Sequence, residues 1–358
     1  MASTGLNFSN ITPDNGAVRD MAAVVMESIL KAERIGGMFN VFPRVHDGDK
    51  LAIVGEFGLV GKAASGCTPT YGTDAISTGE KEWDICDWVV AESICFADLE
   101  NTFVKYMLKS KTNIADVTSN DYMDEIIRPR LEEALYKMMF RLAWFADKNA
   151  DTTANSGVLK VGTDKTYFNL TDGIWKQVFT IVSGDASRRV TISANSQATI
   201  AAQKAAMLTS GVATGIMNNL ITSASPKLRQ ASRQVIYITQ SFKDALDYDL
   251  QANNKGSELQ WKSLFNGITE TTYQGIRLVA LPMLDEIIQT YEGTTTAWNL
   301  PYRALYTDAD NLLLGLGGMN DIADLQIWFD RTAQMNYLLA RDQMGVLIAQ
   351  NDLIEVAY

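Results

Sequence analysis

The chain has one histidine, His46, in Arg44-Val45-His46-Asp47-Gly48. A Ser-His-Asp hydrolase would have to use it as general base. No Gly-x-Ser-x-Gly elbow supplies the matching nucleophile, so His46, beside an Asp-Gly turn, reads as structural. Asp244, Asp247 and Asp249 cluster in a helical stretch, and Asp308, Asp310, Asp321 and Asp324 punctuate loops. A calcium loop needs alternating oxygen ligands, a central glycine and a closing bidentate glutamate. No segment offers that order, and these acids read as caps, turns and solvated faces. Gly315-Leu316-Gly317-Gly318 follows a strand-like run, but a dinucleotide loop needs a third spaced glycine and a following helix. Met319-Asn320-Asp321 follow instead, and the segment reads as a turn. Cys67, Cys86 and Cys95 fit no zinc spacing and read as free thiols of a reducing compartment. Lys62, near the tip of a proposed hairpin, could form an isopeptide bond with an asparagine if a carboxylate assisted and water were excluded; the plainer reading is a solvated loop lysine. No catalytic, cofactor-binding or metal-ligating residue is assigned, and no cofactor is expected. A hydrolase using Asp or Glu is the enzymatic alternative, and it requires a concave pocket with convergent carboxylates of perturbed pKa.

With 358 residues, 47% hydrophobic and 20% charged, the chain can bury one large core or two smaller ones. Its formal net charge of −11 repels phosphate backbones. Tight nucleic-acid binding needs several lysines or arginines on phosphates, and the densest cationic groupings are Lys105, Lys109 and Lys111 and the pair Arg188-Arg189. The start, MASTGLNFSN, has neither a basic nor an apolar leader segment, and no apolar run reaches the ~18 residues of a membrane span. A soluble protein made in the cytoplasm is expected.

The elements follow from spacing. Residues 1–16 read as an extended arm. Val18, Met21, Ala22, Val25, Ser28, Ile29 and Ala32 then predict a helix that Gly36-Gly37 ends. Lys50–Val60 and Glu82–Ala91 are strand-like runs around a glycine-rich middle, the pattern of a long hairpin. Trp83, Ile85, Asp87 and Val89 would share one side of the return strand, and Asp84, Cys86, Trp88 and Val90 the other. Two apolar sides on a projecting hairpin ask for a partner surface. A short helix near Phe96–Lys109 precedes a long one near Asn120–Asp147, whose stripe includes Met123, Ile127, Leu131, Leu135, Met138 and Leu142; Pro129 should kink or interrupt it. Residues 157–193 read as β-rich, through Val158–Val161, Tyr167–Leu170, Val178–Val182 and Val190–Ile192. Ser196–Thr222 reads as a helix weakened by Gly211 and Gly215. Val235–Thr239 reads as a strand, and Ser241–Asn253 as a helix capped by Thr239 or Ser241. Short apolar runs from Tyr273 to Tyr358 alternate with Gly, Pro, Asn and Asp breaks.

This order of parts resembles the major capsid protein of tailed bacteriophages, the HK97-like fold. Glu82-Trp83-Asp84-Ile85-Cys86 followed by Phe96-Ala97-Asp98-Leu99-Glu100 is similar to the junction from hairpin to peripheral domain. Arg141-Leu142-Ala143-Trp144-Phe145 is similar to the end of the spine helix, and Leu170-Thr171-Asp172-Gly173-Ile174-Trp175 to the exit from that domain. Tyr273-Gln274-Gly275-Ile276, Leu281-Pro282 and the Asp352–Tyr358 ending are similar to the later domains. The resemblance implies an α+β fold with an N-terminal arm and helix (1–47), an extended β-hairpin or E-loop (48–96), a peripheral domain with a long spine helix (97–172 and 324–358) and an axial α/β domain (173–323). It implies a virion shell of hexamers and pentamers, assembled in the host cytoplasm around double-stranded DNA held by weak contacts only. It further implies portal, scaffold and decoration proteins as partners, and no membrane. Lys62, Trp83 and Trp88 would then belong to an assembly hairpin. An encapsulin-like compartment subunit is the alternative within the same fold.

Overall fold

A computed structural model describes residues 35–54, 78–95, 128–252, 259–264, 267–317, 326–330, 332–333 and 335–358. Lys62, Met123 and Ile127 lie outside these residues, as do the helices expected at 16–35 and 96–109. The elements in chain order are β1 (Asn40–Pro43), β2 (Lys50–Val54), β3 (Thr78–Glu82), β4 (Cys86–Cys95), α1 (Arg128–Phe145), α2 (Ile174–Gly184), β5 (Arg189–Val190), α3 (Ile200–Met207) and α4 (Val212–Ser223). There follow α5 (Pro226–Arg229), β6 (Gln234–Thr239), α6 (Gln240–Ala252), β7 (Lys262–Ser263), β8 (Thr269–Tyr273), β9 (Ile276–Leu281), α7 (Pro282–Tyr291) and β10 (Ala304–Asp308). The last are β11 (Leu312–Leu316), β12 (Gln326–Asp330), β13 (Met335–Ile348) and β14 (Ile354–Ala357).

A mixed seven-stranded sheet runs β5-β14-β10-β6-β9-β8-β7. At its centre β6 is parallel to β9 and antiparallel to β10. Alternate β6 residues serve two cores. Val235 and Tyr237 pack with α1, α2 and α7; Ile236 and Ile238 pack with α4 and α6. A strand buried on both faces must be apolar without alternation, which is why Val235–Ile238 carries no outward polar residue. β14 pairs with β10 and β5, so the final strand belongs to this sheet.

A five-stranded sheet is organised on β13. One edge of β13 pairs with β4 over Cys86–Cys95. The other is shared by β12 and then β11, and β1 adds to β11 in parallel. β2 and β3 form a separate antiparallel pair, from Lys50↔Glu82 to Val54↔Thr78.

Between the sheets, Trp144 at the end of α1 has 0% exposure. Its ring lies 5.7 Å from Phe39, 5.9 Å from Trp175 and 5.6 Å from Tyr237, so one side chain joins the β1 segment, α1, α2 and β6. Offset and edge contacts of this kind add to area burial. Leu131, Leu135, Met138 and Leu142 are all buried, so this part of the expected stripe faces the core. Pro129 is the second described residue of α1, and the residues before Arg128 lie outside the described ones. Arg303 is buried against Glu292, and its guanidinium lies over the rings of Phe145 and Trp175 at 5.4 and 5.3 Å.

Several expectations are corrected. Val178–Val182 is helical, part of α2, because Ile174, Trp175, Val178 and Val182 recur at the spacing of a helix face and are buried together. Tyr167 ends a 3-10 turn, and of Val158–Val161 only Leu159 makes bridges, to Thr152 and Glu292. The helix expected over Ser196–Thr222 is two helices, parted at Gly211, where φ is +84°. The cap of α6 comes from neither Thr239 nor Ser241. Asp285, in the first turn of α7, accepts from the amides of Gln240 and Ser241 and from the Ser241 hydroxyl, while Thr239 Oγ1 accepts from the Arg303 amide.

Burial pushes the Asp285 carboxyl up to about 6. The folded chain therefore holds this proton more tightly than the unfolded chain, whose aspartates titrate near ~3.9. The resulting stabilisation is complete below about pH 4 and is lost as pH rises through about 6. Asp285→Asn removes the linkage. Denaturant unfolding across that interval should show wild type losing up to about 3 kcal/mol relative to the variant, and parallel pH profiles would refute the assignment.

Candidate assembly hairpin and its seat

The β2–β3 stem leaves the body where the 44–49 turn meets residues 83–85. Gly48 N donates to Trp83 O at 3.0 Å, and Trp83 N donates to Asp49 O at 2.8 Å. Ile85 N donates to Asp47 Oδ1 at 3.2 Å. With Trp83 N, Trp83 O and Ile85 N met by this turn, residues 83–85 leave the ladder without losing these bonds. The return strand expected over Glu82–Ala91 is therefore two strands, β3 and β4, separated by a crossing.

The crossing lies over two glycines. Gly315 and Gly345 are direct cross-strand partners on β11 and β13. A Cβ on Gly345 would fall 2.2 Å from Asp84 O, and one on Gly315 would fall 2.9 Å from both Ile85 Cδ1 and Trp83 Cζ3. Gly315 is thus a strand residue, where a turn was expected, and its missing side chain is the space Trp83 and Ile85 occupy. Glycine inside a strand often marks such an approach of another backbone, and that signal was available in Met344-Gly345-Val346. Trp83 and Ile85 pack with Val45, Leu313 and Leu347 in a small core of their own.

Polar contacts tie the crossing to the rest. Lys148 Nζ lies 2.6 Å from Asp84 Oδ1, joining the stem to the loop after α1. Thr171 Oγ1 donates to Asp84 O at 3.3 Å. Lys81 Nζ donates to Ile348 O at 2.5 Å and to Asn351 Oδ1 at 2.6 Å, and burial draws its pKa down. Gln177 on α2 donates to Val346 O and accepts from Ile348 N, holding β13 under the crossing. Surface ion pairs alone add little. Here they close a frame whose apolar and backbone contacts already fix direction.

The sequence-selected hairpin residues divide. Trp83 seats the stem, and Trp88 is buried on β4 in the main core. Both of these side chains pack within the same chain. Val89, at 57% exposure, is the outward residue. Lys62 lies outside the described residues. The lysine brought to an asparagine is Lys81, and no carboxylate joins that pair among its described contacts.

Neither a protein-family model nor a curated protein matches the chain. Solved structures do. A chain of the satellite phage P4 procapsid, solved with the size determination (Sid) protein, aligns at 10% identity with a TM-score of 0.50, over 93% of this chain and 97% of that one. A chain of Gordonia phage Cozz aligns at 11% identity with a TM-score of 0.52, over 90% and 85%. The chain has the HK97-like capsid fold. A chain of the holo-SrpI encapsulin complex from Synechococcus elongatus gives a TM-score of 0.47 at 10% identity, over 92% and 88%.

Cys67, Asp321 and Asp324 lie outside the described residues; within this HK97-like fold the described candidates that follow have ordinary partners. His46 is exposed on the turn, its backbone amide bonded to Asp49 Oδ2 at 2.8 Å. Asp249 caps α4 through the amides of Gly211 and Thr214. Asp308 accepts from the Asp310 amide, and Asp247 from Trp261 Nε1. Burial, and next Asp84, push the Cys86 thiol up, away from reactive thiolate. Among the described residues no three His, Cys, Asp or Glu side chains could hold a metal, and no helix is long and apolar enough to cross a membrane. One cleft, of about 500 Å³, is lined by Arg141, Lys160 and Tyr167; another, of about 680 Å³, by Arg229, Arg233 and Arg277. Neither gathers carboxylates.

The seat predicts a position-specific cost. Gly345→Ala should destabilise the subunit by about 1–3 kcal/mol through overpacking and speed amide exchange at residues 83–86. Gly184→Ala, where nothing lies within 4 Å of the added carbon, should be neutral or slightly stabilising. Equal behaviour of the two variants in hydrogen exchange and denaturation would remove Gly345 from the seat.

Proposed function

We propose that this chain is a major capsid protein, a structural subunit that self-assembles into hexamers and pentamers forming an icosahedral shell around phage double-stranded DNA. The observation that carries the proposal is the β2–β3 stem. It is seated firmly in a subunit whose fold matches a procapsid chain over nearly its whole length. The stem lies outside both larger sheets, and among its described residues Leu51 packs on the small Trp83 core; a direction fixed this firmly serves something beyond the subunit.

The parts take the following roles in this reading. Residues 1–47 are the arm and helix, and 48–96 the assembly hairpin. Residues 97–172 and 324–358 form the peripheral domain around the spine helix, α1, and 173–323 the axial domain. β11 and β14 each pair across the 323/324 boundary, which binds the two domains into one unit. The net charge of −11 suits a wall that holds DNA by weak contacts only, since a strongly cationic lining would retain it. Portal, scaffold and decoration proteins are the further partners, and the shell of a virion assembled in host cytoplasm is the location. The role is structural, with no catalytic step: among the described residues Asp285 is the carboxyl pushed far upward, and it is occupied as a helix cap. An encapsulin-like compartment would differ in particle size and in lacking packaged DNA.

Replacing residues 55–77 with a two-residue Asn-Gly turn closes the β2–β3 stem in its native register. The shortened chain should unfold at the wild-type denaturant midpoint yet form no closed particles by electron microscopy. Normal particles from it would overturn the hairpin's role. Wild-type particles of compartment size without DNA would favour the encapsulin-like reading.

A further inference from the structure

Arg141, on the core-packed helix α1, is half-buried, and burial pulls its pKa down. Its Nε donates to Tyr167 O at 3.3 Å, and its guanidinium lies over the rings of Tyr167 and Phe168 at 5.5 and 5.6 Å. No aspartate or glutamate among the described residues pairs with it. Arg188, Arg233, Arg277 and Arg303 each have a carboxylate partner. A partly desolvated guanidinium without one is costly unless something else supplies the charge, and Arg141 lines a cleft of about 500 Å³ together with Lys160. Two outward side chains with apolar surface line it as well, Val161 at 72% exposure and Tyr167 at 61%.

We propose that this cleft receives an aspartate or glutamate side chain of a second copy of the chain, with Arg141 taking the carboxylate and Val161 and Tyr167 covering its apolar flank. The inference rests on the shell reading and names one contact within it. A partly desolvated arginine beside outward apolar surface is the arrangement of an interface anchor. The charge balance identifies the occupant: the chain carries 42 acidic against 31 basic residues, so its own surface offers abundant carboxylates. Asp164 also lines the cleft and opposes any incoming anion, so contact with Val161 and Tyr167, which a side-chain carboxylate on a protein surface can add and a phosphate backbone cannot, separates the two.

The test uses the full chain. Wild type, Arg141→Met and Val161→Asp are followed by light scattering and electron microscopy over a concentration series. Both variants should raise the concentration needed for assembly about tenfold or more. The Val161→Asp change lies at an exposed position, so its melting temperature should equal that of wild type. Carbodiimide treatment of particles grown from mixed light- and heavy-nitrogen subunits should join Lys160 to an Asp or Glu in mixed-isotope pairs. Wild-type particles accompanied by equal assembly of Val161→Asp, or by links from Lys160 within single copies only, would overturn this contact alone. A wild type that stays monomeric would overturn the shell reading and the contact together.

Discussion

Gly315 and Gly345 face each other across β11 and β13, and the chain at Trp83–Ile85 lies where their side chains would be. That vacancy sets the geometry of everything on the hairpin side of the subunit. Any side chain at Gly345 meets the Asp84 carbonyl, a backbone atom that cannot swing aside as a flexible side chain can. The crossing in turn fixes where β3 ends and β4 begins, and so the register of β4 on β13 from Cys86↔Met344 onward. A one-residue slip there would send Trp88 to the outside and Val89 to the core. The stem's direction and the sheet's register are therefore one constraint.

The constraint holds because the sheet beneath it is itself held. Gln177 completes hydrogen bonds of β13 from α2, and α2 abuts α1 through Gly173, whose amide donates to Ala146 O at 2.8 Å. Trp144 packs on Trp175 and Tyr237, which carries the connection into the seven-stranded sheet. Interiors packed at this density transmit displacement instead of absorbing it. Lys148, just past α1, reaches Asp84 in the crossing. Contacts thus run without a break from the seven-stranded sheet through α1 to the stem.

Much of this was legible in the residues. The α1 stripe, the doubly buried β6 and the paired base of the hairpin follow from period and apolar continuity, which are local properties. The misreadings have a common physical source. Val178–Val182 is apolar enough for a strand, and only the wider spacing with Ile174 and Trp175 reveals a helix face. Asp285 caps a helix that begins 45 residues earlier in the chain, so no neighbouring residue announces it. Gly315 sits in a glycine-rich run that imitates a turn, and the side chains it accommodates come from the far end of a hairpin. Each depends on a contact distant in sequence, which pattern reading does not reach.

The same distance governs the hairpin's own tryptophans. Two apolar sides on a projecting strand suggest a neighbour, yet Trp83 and Trp88 are both 4% exposed within the single chain. The subunit buries both internally. What it leaves unsatisfied is of another kind: a guanidinium at Arg141 without a carboxylate, beside outward Val161 and Tyr167. While alone, such a subunit carries an incompletely compensated charge beside exposed apolar side chains. It would then gain most at contacts that bring the missing carboxylate, since such a charge rewards only a correctly registered partner. In the proposed shell, apolar burial builds the subunit and the unmatched charge selects how copies meet.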